Sequence, residues 1–434
     1  MLTDRAAVLP AATRTRLMVE PPRRVFASVL PDDDPDRAET ICIDCGIPER
    51  VLRRNGARVR QTHRRANVVV LEVAAARQDA LRRDLEDAGF AARPPRPVYP
   101  LLNESVPALD VPPVWSSGFE GTGVRIAIVD TGADQHPDIA PRIALARDFT
   151  GHRGKDDVGH GTHVAGIAAG AGAVYRGVAP KATLVSAKAL YAGGGTEDTV
   201  LAALSWASRQ GVDVVNLSLG GPGDPHDPLS REVDALFAEG ILVCVAAGNS
   251  GPGAGTISSP GGAAGAITVG ATDKERRLAD YSSRGPVAGL SAHKPDLVAI
   301  GGGVTPAAAC HYGVGIASAR AATLARDRCA VPPRYVRMSG TSMATPHVAG
   351  LCALLVQASR KQEPGLAPPA RAQRVRQALV QGAVGLSLAP DEAGAGLVDG
   401  ARALAALSGP RRAEEDWTST SSSAAMASSG TQPK

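Results

Sequence analysis

The residue best suited to covalent chemistry is Ser342, within the stretch Arg-Met-Ser-Gly-Thr-Ser-Met-Ala-Thr-Pro-His-Val-Ala-Gly that spans residues 337–350. There a glycine-containing turn runs straight into an apolar helix (Val348, Ala349, Leu351, Ala353, Leu354, Leu355). Ser342 and its own N–H therefore fall at a helix N-terminus, where unpaired amides and the dipole favour developing negative charge. A serine hydroxyl is a weak nucleophile at its free pKa and needs a general base, with a further group to orient that base. Two upstream segments offer both. Arg125-Ile-Ala-Ile-Val-Asp130 reads as a buried strand ending in a carboxylate and a Thr-Gly turn, and Gly159-His-Gly-Thr-His-Val-Ala-Gly166 sets His160 at the mouth of another small-residue helix. Taken singly, Asp130 would be a turn or cap residue and His160 a packed residue at a helix start. Together with Ser342 they supply an orienting carboxylate, a base and a nucleophile, in the chain order Asp130, His160, Ser342.

The elements that must position these residues follow from the hydropathy pattern. From Gly123 to Leu407 apolar strands alternate with helical stretches. Strand candidates are Val124–Val129, Thr183–Ala187, Val212–Leu217, Ile241–Ala246 and Ala266–Val269, with helices near 161–171, 198–210 and 228–239 between them. This alternation predicts an α/β domain whose largely parallel sheet is covered on both faces, with a cleft at the carboxyl ends of the strands. Asp130, Asn216 to Gly221 and Ala246 to Asn249 all fall at such ends. The runs Gly193, Gly194, Gly195 and Ser218, Leu219, Gly220, Gly221 are poor in side chains, which opens their backbones to an extended peptide that adds as a strand. His163 has no third metal ligand within reach by sequence and is expected as a buried helix residue.

Three blocks, Val129-Asp-Thr-Gly132, His160-Gly-Thr-His-Val-Ala-Gly166 and Gly340-Thr-Ser-Met-Ala-Thr-Pro346, resemble those of the subtilisin-like serine proteases, and the resemblance covers about residues 115 to 408. It implies a three-layer subtilisin-like α/β domain and hydrolysis of peptide bonds through an acyl-enzyme. Asp130 would hold the His160 ring by its Nδ1–H, leaving Nε2 to take the Ser342 proton and return it to the leaving amine. The second oxyanion donor, beside the N–H of Ser342, would be the side-chain amide of Asn249. By the same resemblance Gly193–Gly195 and Ser218–Gly221 sandwich the substrate, and Ser218–Gly221, Ala246, Ala247, Gly248 and Ser258-Ser-Pro260 wall the S1 pocket. No charge appears in those walls, so broad specificity with apolar P1 residues is expected. Met343, beside the nucleophile, would be open to oxidation. No obligatory cofactor is implied. Many relatives bind calcium, and Asp138 matches one of their ligands, but the loop Ala169-Gly-Ala-Gly-Ala-Val-Tyr-Arg176 lacks the carboxylate and amide oxygens of theirs. A calcium site of that kind is not expected, and calcium elsewhere is left open.

The remainder of the 434 residues bounds the organisation. Aromatics make up 3% and the net charge is +4, so a core of Ala, Val and Leu in close-packed layers is expected. Arginines crowd the region before residue 95, but acidic neighbours such as Asp84, Glu86 and Asp87 point to a solvated face, with no nucleic-acid partner. No apolar run reaches the length of a membrane span, and the first 22 residues are too polar for a signal-peptide core. That favours the cytoplasm, with secretion the alternative. Six cysteines are few for a disulfide framework; Cys42-Ile-Asp-Cys45 has no second pair beside it, and Cys310 and Cys329 could close a loop if oxidised. Before the peptidase-like region come a strand at Arg24–Leu30, a mixed stretch to Arg54, a hairpin-like pair (Ala57–Gln61, Asn67–Val73) and a helix from Gln78 to Ala88 with Leu81 and Leu85 on one face. This βαββαβ, ferredoxin-like α+β module resembles the family's inhibitory propeptide, cut between about Val98 and Trp115; the alternative is a permanent module that holds the cleft of a non-catalytic binding protein. The expected organisation is a flexible segment 1–22, a propeptide 23–105, a peptidase domain 106–408 and a disordered Ser/Thr-rich tail 409–434.

Overall fold

The computed structural model describes residues 14–20, 47–63, 68–93, 104–152, 154–304, 314–324, 329–331 and 334–409. The chain divides into two units, Met1–Val98 and Tyr99–Lys434.

The first unit runs β1 (Arg14–Glu20), α1 (Glu49–Asn55), β2 (Arg58–His63), β3 (Val68–Ala74), α2 (Gln78–Asp87) and β4 (Ala91–Arg93), in a sheet of order β2-β3-β1-β4 with every neighbour antiparallel. This is the strand order of a split βαβ module. Its core joins Val51 and Leu52 of α1, Val69, Leu71 and Val73 of β3, and Leu81 and Leu85 of α2. The first strand corrects the expected boundary: Arg14–Glu20 lies inside the segment read as flexible. Its sequence, RTRLMVE, is too charged to signal a strand by periodicity, yet β3 and β4 bond its main chain on both edges. The expected strand Arg24–Leu30, Cys42, Cys45 and the tail from residue 410 lie outside the described residues.

The second unit opens with short turns α3 (Ser105–Ala108) and α4 (Pro112–Ser116). It continues β5 (Arg125–Asp130), β6 (Ile143–Asp148), α5 (His160–Ala169), β7 (Thr183–Lys188), α6 (Glu197–Ser208), β8 (Val214–Leu217), α7 (Pro228–Ala238), β9 (Leu242–Ala246), β10 (Ala266–Thr272) and β11 (Leu297–Ile300). These strands form a seven-stranded parallel sheet of order β11-β10-β9-β8-β5-β7-β6. Both faces are covered, so β8 to β11 are buried along their whole lengths and read as continuous apolar runs. One face packs on α5 and on α8 (Thr341–Gln362), with α9 (Pro368–Gly382), a turn α10 (Pro390–Ala393) and α11 (Gly400–Ser408) behind. The other packs on α6 and α7. Apolar nearly all round, α8 is correspondingly buried, with Val348, Leu351, Leu354 and Leu355 fully enclosed.

A long connection runs from β11 to α8. It forms an antiparallel sheet, β12 (Ile316–Ala319), β13 (Ala330–Val331) and β14 (Tyr335–Met338), of order β12-β14-β13. The imidazole of the buried His163 fixes this sheet to α5: its Nε2–H is shared between Ile316 O (2.9 Å) and Val336 O (3.2 Å), and Ser318 Oγ donates to His163 O (2.8 Å).

Candidate active site

Asp130 closes β5 and is fully buried. Its Oδ1 accepts from His160 Nδ1 at 2.7 Å and from the N–H of Thr131 at 2.7 Å, while Oδ2 meets no donor among the described residues. His160 is the first residue of α5, preceded by Gly159 at φ +82, a left-handed conformation that favours glycine. Gly161 is required for a different reason: a Cβ there would stand 2.1 Å from Gly132 O, so the Asp-Thr-Gly turn and the His-Gly-Thr helix start touch backbone to backbone. Burial alone would depress His160, but the Asp130 charge and hydrogen bond, together with the charge of Asp156, hold its pKa above the ordinary value.

Ser342 is the second residue of α8, where its N–H has no intrahelical acceptor by position. Four residues on, Pro346 has no N–H to give the Ser342 carbonyl. Ser218, just past β8, supplies the missing donor: its Oγ bonds Ser342 O at 2.8 Å and in turn accepts from Asn216 Nδ2 at 3.0 Å. The Ser342 hydroxyl donates to Ser218 O at 3.2 Å. Asn249 follows β9, and its Oδ1 takes both the N–H and the hydroxyl of Thr341, each at 2.9 Å. That fixes which end of the amide is which. A Cβ built on Gly340 would lie 3.5 Å from Asn249 Nδ2, 3.6 Å from Asn249 Oδ1 and 3.7 Å from Ser342 N, so the Asn249 amide and the Ser342 N–H border the same small space. His160, Asn249 and Ser342 line one cavity of about 380 Å³, together with Cys329, Arg337, Met338, Ser339, Gly340 and Met343.

The remaining expected residues group elsewhere. Gly221 exchanges both main-chain bonds with Ser259 (3.0 Å each), and Ser258 N donates to Ala247 O (3.0 Å). Side chains at Gly220 or Gly248 would strike the Ser258 hydroxyl, which stands between those two strands. Ser218–Gly221 and Ala246–Gly248 thus face one another, outside the cavity just described. Gly193–Gly195 form an exposed turn in which Gly194 exchanges main-chain bonds with Tyr191 (2.8 Å each), so its polar groups are already paired.

Two residues of the site carried no motif. Asp156, fully buried four positions before His160, accepts hydrogen bonds from the loop and from the turns that bear Asp130 and His160. Lys188, 1% exposed at the end of β7, donates to Thr131 O (2.8 Å) and to Asp157 Oδ1 (2.6 Å). A lone lysine closing an apolar strand was the signal that could have found it.

Asp138 lies against the loop that follows α5. Its Oδ2 accepts from the Tyr335 hydroxyl (2.9 Å), and a side chain at Gly172 would collide with the carboxylate. The loop after α5 returns its amides to that helix, Val178 N to Ile167 O (2.9 Å) and Ala179 N to Ala168 O (2.8 Å). Among the described residues no group of three or more His, Cys, Asp or Glu could hold a metal ion. Cys329 is disulfide-bonded to a partner outside the described residues, where Cys310 also lies, whereas Cys244 and Cys352 are free thiols in the core.

Comparison with known proteins finds several relatives of this chain. The chain is 38% identical over 305 residues to serine protease AprX of Bacillus subtilis (strain 168), an alignment that covers 63% of this chain and 65% of AprX, so less than two thirds of that relative's length is spanned. It is 38% identical over 252 residues to subtilisin Savinase of Lederbergia lenta (57% of this chain, 82% of that protein). It is 33% identical over 269 residues to the major intracellular serine protease of Bacillus subtilis (strain 168), covering 58% and 75%. The profile of the subtilase family matches residues 121–402, which include Asp130, His160, Asn249 and Ser342, and the chain belongs to that family.

Proposed function

We propose that the chain is a serine endopeptidase that needs no obligatory cofactor and is made as a self-processing zymogen. Ser342 Oγ turns from Ser218 O to His160 Nε2, gives up its proton and attacks the scissile carbonyl; the imidazolium is held by Asp130 and returns the proton to the leaving amine. The oxyanion is met by the N–H of Ser342 and by Asn249 Nδ2. Water then resolves the acyl-enzyme by the same steps in reverse. The observation that carries this reading is the 2.7 Å bond between Asp130 and His160 at the rim of a cavity shared with Ser342 and Asn249. Uncharged walls at Ser218–Gly221, Ala246–Gly248 and Ser258-Ser259 support broad specificity with apolar P1 residues.

The N-terminal module is read as the intramolecular inhibitor, and the cut falls on the N-terminal side of Glu104, not as far on as Trp115. From Glu104 the chain is built into the peptidase unit. Glu104 pairs with Lys274 (2.9 Å), Ser105 Oγ bonds His347 Nε2 (2.9 Å), and Leu109, Val111 and Val114 are fully buried. The test is the intact mass of the wild type and of Ser342→Ala after incubation, followed by digestion of casein. Loss of roughly 11 kDa from the wild type alone, at about 0.11 kDa per residue over a module of ordinary domain size, with cuts after apolar residues, is the expected result. Two full-length proteins and intact casein would overturn it in favour of a cleft held by its own module.

A further inference from the structure

The carboxylate of Asp156 is the most heavily engaged polar group around the site. It is fully buried, and five donors converge on it. Oδ1 accepts from Thr131 Oγ1 (2.8 Å), Gly159 N (2.7 Å) and Val158 N (3.2 Å); Oδ2 accepts from Thr162 N (2.8 Å) and Thr162 Oγ1 (2.6 Å). These donors belong to the two pieces of chain whose separation decides whether Asp130 reaches His160. Thr131 is the residue after Asp130, and its Oγ1 also accepts from Gly161 N (2.8 Å). Gly159 and Thr162 flank His160 in the first turn of α5, and Thr162 Oγ1 accepts from Asp134 N (2.9 Å). One anion thus gathers the amides at a helix N-terminus and a hydroxyl from the turn that bears the catalytic aspartate. A buried carboxylate is retained at such a place only where its hydrogen bonds offset its desolvation.

We propose that Asp156 is a positioning residue for the triad, which locks the Asp130–Thr131 turn against the first turn of α5 and sets a second buried negative charge behind the His160 imidazole. It touches no reacting atom; it acts through Asp130 and His160. The proposal rests on the catalytic reading above.

The charge has a consequence separable from the geometry. The titratable and charged groups that face His160 are Asp130 on β5, Asp156 in the loop before α5, and His163 one turn along α5. Across the cavity stand Arg337 on β14 and Cys329, which is held in its disulfide. Burial disfavours the imidazolium, and the two carboxylates favour it. His163 stays neutral over the working range, its pKa held down to about 3 chiefly by burial. Removing the Asp156 charge while keeping its shape therefore lowers the affinity of His160 for a proton.

The experiment compares the full-length wild type with Asp156→Asn and with Thr162→Val. Active sites are titrated with a fluorophosphonate, so that each rate refers to labelled, folded enzyme, and kcat and KM on a peptide substrate are read against pH. An amide at 156 must turn its NH2 towards either Gly159 N or Thr162 N, both donors, so the turn shifts. Asp156→Asn is expected to lose roughly 10–100-fold in kcat, the penalty of a misplacement below one ångström to one ångström. KM stays within about twofold, as for interactions made only in the transition state, and the acid limb of kcat/KM moves to lower pH. Thr162→Val keeps the charge and loses two hydrogen bonds, the one given to Asp156 and the one taken from Asp134 N; kcat falls while the acid limb stays in place.

A wild-type kcat in both variants, or an unmoved acid limb in Asp156→Asn, overturns the proposal. If Asp156→Asn does not fold and Thr162→Val has wild-type kcat, Asp156 is a folding determinant only, and the proposal is again overturned. A wild type that the probe does not label would instead defeat the catalytic reading, a distinct outcome.

Discussion

Acid should weaken this fold through two buried histidines, His163 and His347, that do not line the cavity. His347 lies one turn and a half past Ser342 on α8; its Nδ1–H donates to Met343 O (2.8 Å), and its Nε2 accepts from Ser105 Oγ (2.9 Å). His163 gives its Nε2–H to the two strand carbonyls, while its Nδ1 is buried with no partner among the described residues. Neither ring has room for a solvated cation, and burial brings His347 down to about 4 and His163 down to about 3. Both folded values lie below that of an unfolded histidine, so the unfolded chain binds the extra protons first. Stability is full above pH 6.5 and falls as the pH drops towards 4 and 3. Integrated from pH 7.5 to pH 5, each histidine withdraws about 2 kcal/mol, and the pair about 4 kcal/mol, a large part of the 5–15 kcal/mol typical of a domain. His160, held above its ordinary value, and Asp156, whose carboxyl is pushed up by burial, act in the opposite sense, so the contribution of one ring is isolated by difference. The assay is urea unfolding of full-length Ser342→Ala, which cannot digest itself, with and without His347→Gln. The glutamine variant starts less stable at pH 7.5 and loses about 2 kcal/mol less than its parent on going to pH 5. Parallel losses in the two proteins would refute the assignment.

Two further outcomes test the reacting end of the site. Asn249→Ala should lower kcat by roughly 10²–10³ with KM nearly unchanged; the size of that fall is the one established for the oxyanion asparagine of subtilisin. Full kcat would remove Asn249 from the oxyanion hole. Ser218→Ala strips the Ser342 carbonyl of the one outside donor seen among the described residues and should cost about 1–3 kcal/mol in urea unfolding. Adding Pro346→Ala restores an N–H four residues on and should recover part of that loss; a second substitution that only adds damage would show that the carbonyl is satisfied in another way.

How far these features are legible in the chain depends on whether they are proposed to react or merely to hold. Asp130, His160 and Ser342 are legible because a carboxylate ending an apolar strand and a histidine or serine opening a small-residue helix are rare arrangements with a chemical reason. The interior strands β5 and β7 to β10 are legible because burial on both faces writes them as apolar runs. The edge strand β6 is not: Ala144 to Arg147 are exposed, which erases the pattern, and main-chain pairing with β7 alone defines it. The same holds for β1, charged yet paired on both sides. Residues that hold the site are harder still, because their partners are distant in sequence. Pro346 announces that the Ser342 carbonyl must find a donor outside its helix, a deduction open to anyone reading the chain, yet that the donor is Ser218, 124 positions upstream, emerges only once β8 and α8 pack on one another. Asp156 goes one step further from legibility. An aspartate in a Gly- and Asp-rich turn reads as solvated, and only the fold shows that the turn is enclosed and that its carboxylate faces five donors. The motif residues can therefore be named from composition and order, whereas the groups that keep them at working distance are set by packing, and substitutions there are the more searching test of the mechanism.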